Sequence, residues 1–151
     1  MAKRYRLKLA SWVVVREEGQ PSPKKLDTPE AVAELAKELI HRHDDDKEHF
    51  WIAILGSQNH RLLVHEVSVG TQSASLVHSR EVFGPALREG AAALILIHNH
   101  PSGDPTPSRE DLTLTKQLVE VGKLHQIRLL DHIIIGNGTE RWVSLAERGC
   151  L

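Results

Sequence analysis

AALILIHNHPSGDPTPSREDLTLTKQLVEVGKLHQ, residues 92–126, decides how this chain folds. Its first nine residues, AALILIHNH, are apolar on both faces of an extended strand, which predicts a central strand covered by a layer on each side. Pro101-Ser102-Gly103-Asp104-Pro105 then forces a tight loop. From Ser108, a run carrying Leu112, Leu114, Leu118, Val119 and Val121 predicts a helix over 108–126.

Downstream, LLDHIIIG (129–136) reads as another apolar strand, and Asn137-Gly138 as a hairpin turn that returns ERWVSL (140–145) antiparallel to it. Upstream, EHFWIAILG (48–56) reads as a buried strand. Ser57-Gln58-Asn59 turns it into RLLVHEVSVG (61–70), whose apolar and polar residues largely alternate. A short helix begins near Ser79 and carries Val82, Phe83 and Leu87. Asp27-Thr28-Pro29-Glu30 has the cap, proline and acid of a helix start, and Val32, Leu35, Leu39 and Ile40 continue that helix to about residue 43. Residues 1–26 read as a strand over 5–15 and a polar loop, expected to be part of the same domain. The order of elements predicts one α/β (α+β) domain, a mixed β-sheet flanked by helices.

At 151 residues, with 40% hydrophobic and 26% charged residues, the chain can bury one core. A formal net charge of −1 argues against a broadly basic nucleic-acid surface. The single cysteine, Cys150, allows no disulfide within the chain, which fits a reducing compartment. The N-terminus lacks the pattern of a secretory signal, and no apolar run approaches the ~20 residues of a membrane helix. The expectation is a soluble, cytoplasmic protein with no membrane partner.

Chemistry concentrates where the central strand ends. His98 and His100 stand two apart on the strand, so both side chains point to one face. Asp111 falls on the first turn of the following helix and can reach back toward the strand end. Two imidazoles and one carboxylate make a three-donor zinc site with a fourth position open, the pattern of catalytic rather than structural zinc. Ser108-x-x-Asp111 has a second reading as a helix-capping pair, and the two readings are compatible because a helix N-terminus favours an anionic ligand. Asp131 and His132, on opposite faces of a strand, allow a supporting role for the zinc ligands or a buried pair satisfied by nearby backbone. His41, His43, Asp44, Asp45, Asp46 and His49 read as a solvated helix end.

The spacing H-x-H-x7-S-x2-D, formed by His98, His100, Ser108 and Asp111, resembles the JAMM motif of the MPN+/JAB metallopeptidases. EHFWIAIL, HSREVF, ALILIHNHPSGDPTPSREDLTLT and LLDHIIIG together look like a RadC-type JAB domain over residues 27–151. The resemblance implies a cytidine-deaminase-like sandwich fold, with one zinc held by His98, His100 and Asp111. It implies that Ser108 stabilises an oxyanion and that an upstream glutamate handles the proton of the attacking water. Glu48 is the best match for that glutamate, with Glu66 and Glu81 as fallbacks. The function implied is a zinc-dependent hydrolase acting on a peptide, isopeptide or other amide bond of a peptide or protein substrate. The alternative is a non-catalytic zinc-containing module, DNA-repair-associated or protein-binding. The first 26 residues, however, read as strand and loop rather than as the DNA-binding-like helical region of the family's longer form. A zinc deaminase would require H-x-E and P-C-x-x-C ligands, and the chain has neither.

Overall fold

The structure is a computed structural model and describes residues 25–42, 46–70 and 77–151. The strand expected over 5–15 lies outside those residues, as does part of the charged run 41–49. The described elements are α1 (Pro29–His41), β1 (Glu48–Leu55), β2 (Arg61–Gly70), α2 (Ser79–Arg88), β3 (Ala93–His100), α3 (Arg109–His125), β4 (Arg128–Gly136) and β5 (Trp142–Ser144). They form a five-stranded sheet in the order β2-β1-β3-β4-β5. β1 pairs antiparallel with β2 and β3, β3 runs parallel to β4, and β5 returns antiparallel to β4. The sheet is mixed and lies between helices, as the order of elements predicted.

The sequence explains why β3 is central. Residues Ala93–Ile97 are buried without a break on both faces. On one face Ile95 and Ile97 join Trp51, Ala53, Ile133 and Ile135 beneath Val32, Leu35, Ala36 and Ile40 of α1. On the other, Leu94 and Leu96 join Phe50, Ile52 and Ile54 beneath Val82, Phe83 and Ala86 of α2 and Leu114 and Leu118 of α3. An isolated α/β strand pair could not shield two such faces; two helical layers do.

The helix starts follow their local signals. The Thr28 hydroxyl accepts from the Ala31 N–H at 3.3 Å, with Pro29 in the first turn of α1. α1 ends at His41, slightly before the expected residue 43. β5 is also shorter than the expected 140–145. At its far end the Asp131 carboxylate accepts from Ser144 Oγ at 2.6 Å and from the Ala146 N–H at 3.0 Å, where the chain enters a turn. Among the described residues no helix is long and apolar enough to cross a membrane.

Candidate metal centre

β3 and α3 meet at the carboxyl end of the sheet's central strand. His98 and His100 project from the same face of β3, and the loop after them returns the chain so that α3 starts alongside. Ser108 is the N-cap of α3. Its hydroxyl accepts from the Asp111 N–H at 3.1 Å, and its own N–H donates to Asp111 Oδ2 at 2.7 Å. The capping reading therefore holds, and the same carboxylate also faces both imidazoles. Asp111 Oδ1 lies 3.3 Å from His98 Nε2, and Oδ2 lies 3.3 Å from His100 Nε2.

The two Nε2 atoms are 2.9 Å apart. The donor atoms of His98, His100 and Asp111 all lie within 4.8 Å of one another, close enough to share one metal ion. His98 and Asp111 are almost fully buried, whereas the His100 side chain keeps 16% of its surface exposed, so the cluster opens on the His100 side. The ring of His100 is already oriented for a metal. Its Nδ1 lies 2.7 Å from the Asp104 backbone carbonyl, which can only accept, so Nδ1 carries a proton; Nε2 then faces Asp111, as a donor when the ring is protonated and as a lone pair when it is neutral. Two imidazole nitrogens and a carboxylate aimed at one point fit a zinc ion in donor chemistry.

Electrostatics sharpen the picture. Burial lowers the His98 pKa to about 4, against the opposing charge of Asp111. For His100 burial also acts downward, but the Asp111 hydrogen bond, the Asp104 carbonyl and the charges of Asp111 and Glu48 outweigh it and raise the pKa. Burial would raise the Asp111 pKa. The hydrogen bond from His100, the charge of His98 and the contacts from Ser108 overcome that and hold its carboxyl below the ordinary range.

A stability prediction follows for the metal-free protein. The folded His98 pKa of about 4 lies below the unfolded value of 6.5, so the unfolded chain takes up this proton first. The His98 contribution to stability is then complete above pH 6.5 and is lost as pH falls toward 4, by about 3 kcal/mol from this fully buried ring. Denaturant unfolding of chelator-treated protein across that range measures it. A flat profile would refute the assignment.

The chain matches the RadC-like JAB domain over residues 26–150. It belongs to the RadC-like JAB domain family. It is 51% identical over 122 residues to a UPF0758 protein of Desulforudis audaxviator, covering 81% of this chain and 51% of that one. A UPF0758 protein of Syntrophotalea carbinolica is 50% identical over 124 residues, 82% of this chain and 53% of its own. One from Geobacter sulfurreducens is 52% identical over 108 residues, 72% of this chain and 46% of its own. The chain thus spans about half the length of the curated relatives it matches.

Within this RadC-like JAB domain the structure also separates the three candidate glutamates. Pairing of β1 with β3 runs from Leu55↔Ala93 to Phe50↔His98 and stops there. Glu48 and His100 are the next residues on that face, at the two open strand ends. Phe50 stacks on His98 with ring centroids 5.8 Å apart, and the charge of Glu48 acts on His100. Glu66 instead pairs with Trp51, on the α1 face of the sheet, and contacts His49 Nδ1 at 3.0 Å. Glu81 is committed to the start of α2, where it accepts from the His78 N–H at 3.1 Å. Of the three, Glu48 is the one whose charge acts on a residue of the donor cluster, while Glu66 and Glu81 are engaged elsewhere.

Two neighbours carried a weaker signal in sequence. Asn99, fully buried on the opposite face from the ligands, accepts from the His49 N–H at 2.7 Å. Its amide nitrogen donates to the Lys47 carbonyl at 2.9 Å and to Asn137 Oδ1 at 3.1 Å. It thereby holds the backbone on both sides of Glu48 where the ladder between β1 and β3 has ended. His132 lies on the ligand face, with Nε2 2.7 Å from His98 Nδ1. Of the Asp131-His132 pair, the aspartate is satisfied by nearby groups and the histidine touches the donor cluster.

Proposed function

We propose that the chain is a zinc-dependent hydrolase of the JAMM metallopeptidase type, cleaving a peptide, isopeptide or other amide bond of a peptide or protein substrate. The observation that carries this reading is the convergence of His98, His100 and Asp111 at one strand-to-helix junction, open on one side and faced by Glu48. A structural zinc site would be closed by a fourth protein donor. Among the described residues these three form the one cluster of metal-ligating groups.

Zinc held there would supply a Lewis acid that acidifies a water and polarises the carbonyl to be attacked. The chain's own residues supply the rest. The Glu48 carboxylate takes the proton of the attacking water and delivers it to the departing amine, which balances the hydrolysis without an external acid. The Ser108 hydroxyl, beside Asp111 at the helix start, donates to the carbonyl oxygen as that oxygen gains negative charge. The positive end of α3 favours both the Asp111 carboxylate and charge developing near it. His98 and Asp111 keep solvent from the inner side, leaving His100 at the mouth through which a substrate enters.

Metal analysis tests the ligand set. The purified protein is expected to hold about one zinc per chain, as one three-donor cluster implies. His98→Ala and Asp111→Ala are expected to lose it or bind it far more weakly. Protein that takes up no stoichiometric zinc after supplementation would sink the proposal.

A further inference from the structure

We propose that Thr115 and His132 form a directional hydrogen-bond chain that fixes His98 in the tautomer whose Nε2 lone pair faces His100 and Asp111. The use of that lone pair rests on the metal reading above, but the chain itself is a property of the metal-free protein.

The direction follows by elimination from one end. Thr115 Oγ lies 2.6 Å from the Asp111 backbone carbonyl oxygen and 2.6 Å from His132 Nδ1. A hydroxyl has one proton and a carbonyl can only accept, so the Thr115 proton is committed to Asp111. The Thr115 oxygen therefore accepts, and His132 Nδ1 must donate. Neutral His132 then has its lone pair at Nε2, which lies 2.7 Å from His98 Nδ1. His98 Nδ1 donates in turn. That leaves Nε2 of neutral His98 bare, 2.9 Å from His100 Nε2 and 3.3 Å from Asp111 Oδ1.

The surroundings keep the order intact. Thr115 and His132 are fully buried, so bulk water does not compete for these contacts. An imidazolium at His132 would be a charge fully buried from water, which disfavours the doubly protonated ring. The Phe50 and His132 rings pack edge to face, with centroids 5.7 Å apart. His100 achieves the same end more simply, through the Asp104 carbonyl. A buried carboxylate beneath His98 would add a charge that is costly to desolvate. An imidazole aligned by a hydroxyl orients the ring without one. The chain also begins and ends at metal donors. It starts from the carbonyl of Asp111 on α3, crosses β4 at His132, and finishes at His98 on β3. Thr115 and His132 are thus positioning residues that act through His98.

Ring-nitrogen NMR of the metal-free protein near neutral pH reads the tautomer directly, and zinc competition against a chelator reads its consequence. Wild type and Thr115→Ser are expected to carry the His98 proton on Nδ1, with Nε2 bare. Thr115→Val removes the acceptor for His132 and should leave His98 in mixed tautomers. Zinc affinity in Thr115→Val and His132→Phe is expected to fall about 10- to 100-fold, and Thr115→Ser should restore it. A purely structural role would lower stability without moving the tautomer. A wild-type His98 protonated at Nε2, or wild-type zinc affinity in Thr115→Val, would overturn the proposal. Wild type with the stated tautomer but no zinc uptake would instead refute the metal reading and leave the chain standing.

Discussion

Glu48→Gln is expected to reduce hydrolysis about 10²- to 10⁴-fold, the usual worth of a positioned general acid–base, while leaving zinc content unchanged. The substitution keeps the shape of the side chain and removes its ability to hold a proton in transit. Position is the argument for so large an effect. Glu48 stands opposite His100 by register, one step beyond the last β1–β3 pair, Phe50↔His98, and its charge acts on His100. On its other side Glu48 is paired with Gly70 of β2. Here Asn99 binds the Lys47 carbonyl and the His49 N–H, the groups on either side of it. The measurement is digestion of an unbiased peptide library by wild type and variant, read by mass spectrometry alongside metal analysis. Loss of zinc in Glu48→Gln would make Glu48 a ligand. Undiminished cleavage would remove it from the reaction.

Much of this site was legible because it depends on local periods. Alternation along a strand puts His98 and His100 on one face whatever the strand's neighbours. The three-residue step from Ser108 to Asp111 is a helix-cap geometry, and the cap is what swings the Asp111 carboxylate toward the strand. The two covering layers were legible from the unbroken apolar run before His98. What sequence could not supply was lateral order. Whether Glu48, Glu66 or Glu81 faces the histidines depends on which strand lies beside β3 and in what register. Likewise His132 acquires its role only because β4 lies parallel to β3, with Leu96 opposite His132. The same sequence pattern in a different strand order would have made it an ordinary buried histidine. Its neighbour Asp131 shows that alternative: one residue away and on the other face, it anchors Ser144 and Ala146.

Gly136→Ala is expected to destabilise the fold by about 2–3 kcal/mol, as overpacking at a rigid contact does, and to weaken zinc binding with it. A β-carbon at this position would stand 2.1 Å from the Gly103 carbonyl oxygen and 2.7 Å from its carbon. Those atoms are backbone, so no side chain can rotate away to relieve the clash. The loop carrying Gly103 would have to move, and that loop is already fixed on its other side. Gly103 adopts φ +84°, and its N–H donates to the His100 carbonyl at 3.1 Å. The Asn137 N–H donates to the same carbonyl at 3.0 Å, tying the β4–β5 turn to the end of β3. The next residue, Asp104, supplies the carbonyl that orients His100. A displacement starting at Gly136 therefore reaches His100 through two consecutive loop residues. Gly70→Ala is the control. It adds a β-carbon at the end of β2 with nothing within 4 Å, and should stay within about 0.5 kcal/mol of wild type. Denaturant unfolding and zinc competition on both variants decide the matter. If Gly136→Ala stays within about 0.5 kcal/mol of wild type, the range of an ordinary surface substitution, the contact with Gly103 does not constrain the loop. If it loses stability but keeps full zinc affinity, His100 is oriented independently of that contact.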